Sequence, residues 1–190
     1  RRVLFRSRYL GERFGTDYCL TAEHSLLRHA QYNVIPKTVN VLLAVSQSQV
    51  QALAFGHTVA LFPGKSKFPA PEQQVEINGL RCMALPHCLV NLPPRHFMAY
   101  GREVQIVMAQ LQDPGALAAL VDVNRAGLSR ILSAYRQVGR GDFADAVLDQ
   151  LKGLGIQLRS DEKPFDSMPV FALGQPGKSP LYARLKALWA

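Results

Sequence analysis

The sequence predicts an α+β protein: a small mixed sheet flanked by helices, followed by an α-helical subdomain. Three observations predict it. Aliphatic and β-branched runs bounded by turn residues cluster before Pro93, notably Val39–Val45 and Thr58–Phe62. The dipeptide Asn78-Gly79 separates two further short runs, the signature of a hairpin with a two-residue primed turn. Beyond Leu92-Pro93-Pro94, helix caps and helical periodicity take over.

In chain order, Arg8 to Phe14 reads as a short helix ended by Gly15. Asp17-Tyr-Cys-Leu-Thr21 hands over to a helix with Thr21 as N-cap, Glu23 in the first turn, and an apolar stripe of Leu26, Leu27 and Ala30. After a break at Pro36, Val39–Val45 and Thr58–Phe62 read as a buried pair of strands joined by a polar connection, the second stopping at Pro63-Gly64. Gln74–Ile77 and Leu80–Ala84 form the hairpin. In the second half, Asp113 caps a helix with Pro114 at its first position and Ala116–Val123 following. Asn124 caps another through Val138, stopped by Gly139, and Asp142 a third through Leu151 or Lys152, stopped by Gly153 and Gly155. Ile156–Arg159 reads as extended, residues 163–180 as rich in proline and glycine, and Leu181–Trp189 as a short amphipathic helix. The expected division is therefore 1–7 extraneous, 8–92 an α+β domain, 93–160 a helical subdomain, and 161–190 a linker with a short helix leading toward a further domain. No internal repeat is visible.

Composition excludes several classes. With 190 residues, 48% apolar and 19% charged, the chain is neither disordered, collagenous nor coiled coil. The net charge of +8 invites an anionic partner. However, the opening Arg-Arg-Val-Leu-Phe-Arg-Ser carries no cap, alternation or repeat and reads as extraneous to the fold; taking its three arginines from +8 leaves +5. That start, and the abrupt end at Trp189-Ala190, lead us to expect more sequence on both sides. Three cysteines, Cys19, Cys82 and Cys88, cannot close a disulfide framework and suit a reducing cytoplasm. The long uncharged stretch from Thr38 to Gly64 carries too many polar residues for a membrane span.

Each chemical motif competes with a plainer account. Ala172-Leu-Gly-Gln-Pro-Gly177-Lys178-Ser179 fits a relaxed phosphate-binding loop, with Gly177 and Ser179 beside a lysine that would neutralise phosphate. Pro176 removes one of the donors such a cradle needs, and a linker carrying Lys178 is the better account. Cys82, His87, Cys88 and His96 lack the paired two-to-four-residue spacing of structural zinc, so no metal is expected. His24 and His29 fall on different faces of one helix. A Cys–His nucleophile has no local support, and a free cysteine is mostly a small core hydrophobe. The charged feature is the helix 125–140. Arg125, Arg136 and Arg140 fall within about 60° of each other, opposite Leu128, Ile131, Leu132, Tyr135 and Val138. They are candidates for nucleic-acid or partner contact. Asp142, Asp145 and Asp149 on the next helix would repel DNA phosphates, so the favoured reading is that the arginines face solvent or pair with those aspartates across the turn. Hydrolase-elbow, zinc-protease and dinucleotide signatures are missing.

Two segments carry a family resemblance. Asp17-Tyr-Cys-Leu-Thr-Ala-Glu-His-Ser-Leu-Leu-Arg-His-Ala30, with Val39-Asn-Val-Leu-Leu-Ala44 and Thr58-Val-Ala-Leu-Phe62, resembles the core domain of AbiEi-type antitoxins. Gln110–Pro114, Ser129–Arg140, Phe143–Leu151 and Ser160–Phe165 are similar to the region preceding the catalytic domain in large Fic (cell filamentation) proteins, and Ser179–Trp189 to the linker helix leading into it. The resemblance implies a protein that transfers AMP from ATP with Mg²⁺ through a His-Pro-Phe-x-x-Gly-Asn-Gly-Arg loop. That loop is absent; Arg95-His96-Phe97 and Lys163-Pro164-Phe165 lack its glycines and arginine. ATP and Mg²⁺ are thus implied only for a Fic domain outside these residues, and none is expected for this chain. DNA binding is implied through a winged helix that would precede it. The expected function is a noncatalytic, antitoxin-like regulatory module partnering a Fic domain or cognate toxin. The alternative is a free-standing antitoxin that binds promoter DNA through the 125–140 helix, and an enzyme with a cryptic cysteine or histidine site ranks below both.

Overall fold

A computed structural model describes residues 2–32, 34, 36–46, 48–53, 56–64, 67–159, 162–166 and 170, with side chains from Ser7 onward. The chain divides into two compact units, Arg1–Leu92 and Pro93–Ala190. The first is mixed α+β and the second is helical, which is the α+β class the sequence predicts.

The first unit begins with helix α1 (Arg2–Phe14). It starts well before Arg8, so the opening residues expected to form no element belong to a helix; their arginines and leucine are good helix formers. Gly15, at φ +56°, ends it as the left-handed C-terminal residue. A four-stranded sheet follows in the order β1-β2-β4-β3: β1 (Tyr18–Leu20), β2 (Thr38–Leu43), β3 (Gln49–Ala52) and β4 (Thr58–Pro63). β1 runs antiparallel to β2, β2 parallel to β4, and β3 antiparallel to β4. The polar connection between the two apolar runs therefore contains a third strand, on the sheet edge. Its Val50 is 71% exposed, so backbone pairing to β4 holds it rather than a buried face. Alternation puts Tyr18 and Leu20, Val39, Val41 and Leu43, and Val59 and Leu61 on one face, where Leu10 of α1 joins them in a core with Leu80 and Cys82.

Helix α2 (Ala22–His29) leads out of β1. Thr21 occupies the N-cap position, but its hydroxyl makes no cap bond; it lies 3.3 Å from His24 Nδ1 instead. Ser25, fully buried, donates to Leu20 O (3.2 Å) and accepts from Met83 N–H (3.0 Å), so one hydroxyl ties α2 both to β1 and to the hairpin. The hairpin comprises β5 (Gln74–Ile77) and β6 (Leu80–Met83), preceded by a 3₁₀ turn at Pro71–Gln73. Asn78 and Gly79 have φ of 52° and 74°, the two positive values a primed type I turn demands. Helix α3 (Leu85–Val90), entered through Pro86, closes the unit against α2.

The second unit holds α4 (Arg95–Ala99), α5 (Gly101–Gln110), α6 (Pro114–Ala118), α7 (Arg125–Gln137) and α8 (Gly141–Gly153). The sequence marks α4 and α5 poorly because neither begins with a side-chain cap. Asp113 Oδ1 accepts from Gly115 N (2.9 Å) and Asn124 Oδ1 from Gly127 N (2.9 Å), as N-caps should. The helix expected to reach Val123 stops at Ala118, where three-residue turns such as Val121 N–H to Ala118 O replace helical bonds. Asp142 is not a cap; it sits in the first turn of α8, behind Arg140. The 156–159 segment pairs in no strand. Its carbonyls accept from α7 side chains, Arg125 to Gln157 O (2.8 Å) and Ser129 to Arg159 O. Tyr135, wholly buried, donates to Met108 O (2.9 Å) and lies 4.5 Å from the Phe143 ring, joining α7, α5 and α8. Among the described residues, no helix is long and apolar enough to cross a membrane.

Candidate functional site

The arginines of α7 come first, because the sequence singles them out. Arg125 opens the helix and spends one guanidinium nitrogen on Gln157 O. Arg136, in the last turn, pairs with Asp145 of α8 at 2.8 Å. Arg140, between the helices, lies 3.7 Å from Asp142, and its guanidinium sits over the Phe143 ring at 5.1 Å. A fourth arginine that the sequence reading passed over, Arg130, is the least exposed and pairs with Glu162 at 2.9 Å. All four guanidinium groups are thus engaged within the unit. Phosphates binding here would have to compete with three carboxylates already in place, Asp142, Asp145 and Glu162. Gly139, at φ +78°, makes the tight turn that brings Asp145 back beneath Arg136.

The cysteines are equally committed. Cys19, Cys82 and Cys88 are buried and free. Cys88 Sγ donates to Ala22 O at 3.0 Å, and Cys82 Sγ to Leu80 O at 3.5 Å. Burial pushes the thiols of Cys19 and Cys82 up to about 12 and that of Cys88 well above its ordinary value, with the neighbouring thiols adding to each shift at Cys19 and Cys88. A thiolate is the nucleophile and the metal ligand, and these sites disfavour it. Among the described residues, no group of three His, Cys, Asp or Glu side chains is placed to hold a metal ion.

His24 and His29 of the first unit serve as hydrogen-bonding groups to the backbone. His24 Nδ1 accepts from Asn40 N–H (3.3 Å), which requires it to be unprotonated, so Nε2 carries the proton directed at Thr38 O (3.1 Å). His29 Nε2 donates to Met83 O at 2.8 Å, and burial lowers its pKa against that bond. His24 and His29 therefore address different carbonyls. Burial also lowers the pKa of His87, whose Nδ1 has no partner among the described residues. In the second unit, His96 Nε2 accepts from Arg95 at 3.2 Å.

The sequence reading missed one feature, a cavity of about 680 Å³ in the first unit. Asp17, Gln74 and Arg81 line it, with Phe68, Pro69 and Pro71 as an apolar wall. Four separate segments contribute, at 16–17, 44, 68–74 and 81, so no spacing in the sequence could have announced it. Gly177, Lys178 and Ser179 lie outside the described residues, as does the helix expected at 181–189. Compared with protein-family models, curated proteins and solved structures, the chain has no match.

Proposed function

We propose that this chain is a noncatalytic, antitoxin-like regulatory module of the cytoplasm that acts on a Fic-type AMP-transferase domain or a cognate toxin. The family part of this reading rests on the resemblance of residues 17–62 and 110–165 set out above. The observation that carries the choice between a protein partner and DNA is the pairing of the α7 arginines within their own unit, Arg136 with Asp145 and Arg140 with Asp142. Arginines so paired offer phosphates little net charge, whereas a mixed surface of both signs suits a protein partner. The thiols, held protonated by burial, support a noncatalytic role.

Two measurements test it. First, the gene is read in frame beyond Ala190, and the chain is assayed with the encoded Fic domain, ATP and Mg²⁺. Suppressed AMP transfer supports the reading, and transfer by this chain alone overturns it. Second, a gel shift on promoter DNA across a salt series tests the alternative of a stand-alone autoregulator. Steeply salt-dependent binding by this chain would favour that alternative, and no binding at low salt excludes it.

A further inference from the structure

The two edges of the four-stranded sheet are treated differently. Against the β1 edge packs β6 of the hairpin, its Arg81 N–H bonded to the Tyr18 hydroxyl at 3.3 Å. β3 forms the other edge and pairs only with β4, so no strand flanks its outer side among the described residues. The register shows which backbone groups that side presents. Leu53 N–H donates to His57 O at 2.7 Å, which sets the alternation of the antiparallel ladder: Gln51 and Gln49 are the residues that exchange bonds with Val59 and Leu61. Val50 and Ala52 therefore turn their N–H and C=O groups away from β4. Ala52 O accepts from Gln51 Nε2 at 3.2 Å, while the outward pair on Val50 stands ready for a further strand.

Proteins blunt such edges with lysine, proline, a bulge or a covering segment. No residue from Val39 to Phe62 is charged or a proline. Val50 is 71% exposed and shares a sheet face with Phe62, which is 43% exposed and lies two residues beyond Ala60, the residue paired with Val50. Two features select what fits there. The first is symmetry. Gln49-Val50-Gln51 reads alike in both directions and is flanked by the small Ser48 and Ala52. Antiparallel pairing of two copies about Val50 sets valine against valine, each glutamine against a glutamine, and Ser48 against Ala52. The two Val50 residues then exchange N–H to C=O bonds, and the facing amides extend the Gln49 Nε2 to Gln51 Oε1 bond (3.3 Å) already present within one strand. The second is charge. The chain carries +8, so two copies repel over most of their surface, whereas this uncharged stretch lets them meet without opposing like charges. A strongly acidic or basic peptide would find no counter-charge on the same strand.

We propose that β3 is a dimerisation edge, pairing antiparallel with β3 of a second copy of this chain across a two-fold axis at Val50, so that the two sheets become one. Val50 packs on its mate, and Phe62 of each copy extends the apolar strip on the same face. The interface is isologous and closed, because each copy contributes the one sheet edge that β6 leaves open and assembly stops at two. A single strand pair buries less than a standard interface, which places this contact among the transient dimers.

The test is sedimentation velocity of the whole chain from about 1 to 500 µM, with amide exchange read at Val50 over the same range. The expected result is a monomer–dimer equilibrium with a Kd on the order of 100 µM or tighter, and exchange at Val50 that slows as the dimer forms. Val50→Pro removes only an outward N–H and leaves the bonds to β4 intact, and Val50→Lys sets two ammonium groups against each other across the axis. Each should weaken dimerisation about tenfold or more with an unchanged circular dichroism spectrum, whereas Val75→Lys, at an exposed valine of β5, should not. Should Val50→Pro fail to fold, Val50→Lys decides by itself. A monomer throughout the range overturns the proposal and leaves the edge to a strand of another protein. A dimer indifferent to the Val50 substitutions, or assembly beyond two, overturns pairing through β3. None of these outcomes bears on whether the chain restrains a Fic domain, so the two proposals fail separately.

Discussion

Replacing Gly64 by alanine should destabilise the first unit through contact alone. Gly64 follows β4, its N–H donates to Leu43 O at 2.7 Å, and its backbone lies in a region any residue can adopt. An added Cβ would stand 2.8 Å from Leu43 O and 2.8 Å from Phe68 Cβ, against 3.4 Å for ordinary contact. Something must therefore move by about 0.6 Å. Neither neighbour yields easily: Leu43 O belongs to a strand paired on both sides, and Phe68 Cβ cannot swing away as a side-chain tip could. Overpacking of this kind costs about 1–3 kcal/mol, partly offset by about 0.4–1 kcal/mol from the stiffer unfolded chain. That leaves a net cost of roughly 0.6–2 kcal/mol; for a unit of this size each kcal/mol moves Tm by about 4–8 °C, so Tm should fall by roughly 2–16 °C. Gly11→Ala is the matched control. A Cβ at Gly11 meets nothing within 4 Å, and the residue lies exposed inside α1. There alanine should stabilise by about 0.5–1 kcal/mol. Scanning calorimetry of both variants, with amide exchange at Val41–Leu43, reads the result. A Tm for Gly64→Ala within about 1 °C of the parent would refute the argument, because the wall at Phe68 would then not be packed as described.

Three further outcomes are expected. Burial holds the His29 and His87 pKa values below the ordinary 6.5, so the unfolded chain binds more protons in the window beneath it. Stability of the first unit should be full above pH 6.5 and decline as pH falls through that value, measured by urea unfolding on either side of it. His29→Gln, which keeps a donor for Met83 O, should flatten the slope, and a gain in stability on acidification would contradict the assignment. Cys19, Cys82 and Cys88 should resist iodoacetamide in the folded chain and react on unfolding; rapid labelling of any of them under native conditions would show that its burial is wrong. Arg136→Glu turns a 2.8 Å attraction to Asp145 into repulsion between half-exposed groups. It should cost less than about 1 kcal/mol, recoverable by salt, and should leave any DNA mobility shift unchanged.

What could be read from the sequence was whatever depends on neighbours in the chain. Asn78-Gly79 fixes the hairpin because the turn needs two positive φ values, and Asp113 and Asn124 cap helices because their side chains reach only two or three residues on. β3 escaped notice because its Gln-Val-Gln-Ala has no buried face; its stability comes from pairing with β4 across the sheet. Thr21 has the right chemistry for a cap, yet a distant event decides its hydroxyl's direction: His24 turning toward Asn40 of β2. Likewise Asp142 could have capped α8, but the backbone enters the helix at Gly141, one residue earlier. Pairing of the arginines with aspartates was foreseeable because α7 and α8 are joined by only a tight glycine turn. The cavity was not, since Asp17, Phe68, Gln74 and Arg81 meet only after the sheet and hairpin have formed.

Charge shows the same dependence on place. The total of +8 is dominated by groups whose meaning differs from site to site. Arg136 is half exposed beside Asp145, and such a pair contributes about 0–1 kcal/mol and little field at a distance. Arg81 contributes the same unit of charge but sits half-buried at a cavity, with no partner among the described residues. Arg140 is held differently again, over the Phe143 ring at 5.1 Å and 3.7 Å from Asp142, so most of its charge is answered inside its own unit. The placement of each group, more than the total, therefore decides how much charge a partner would meet.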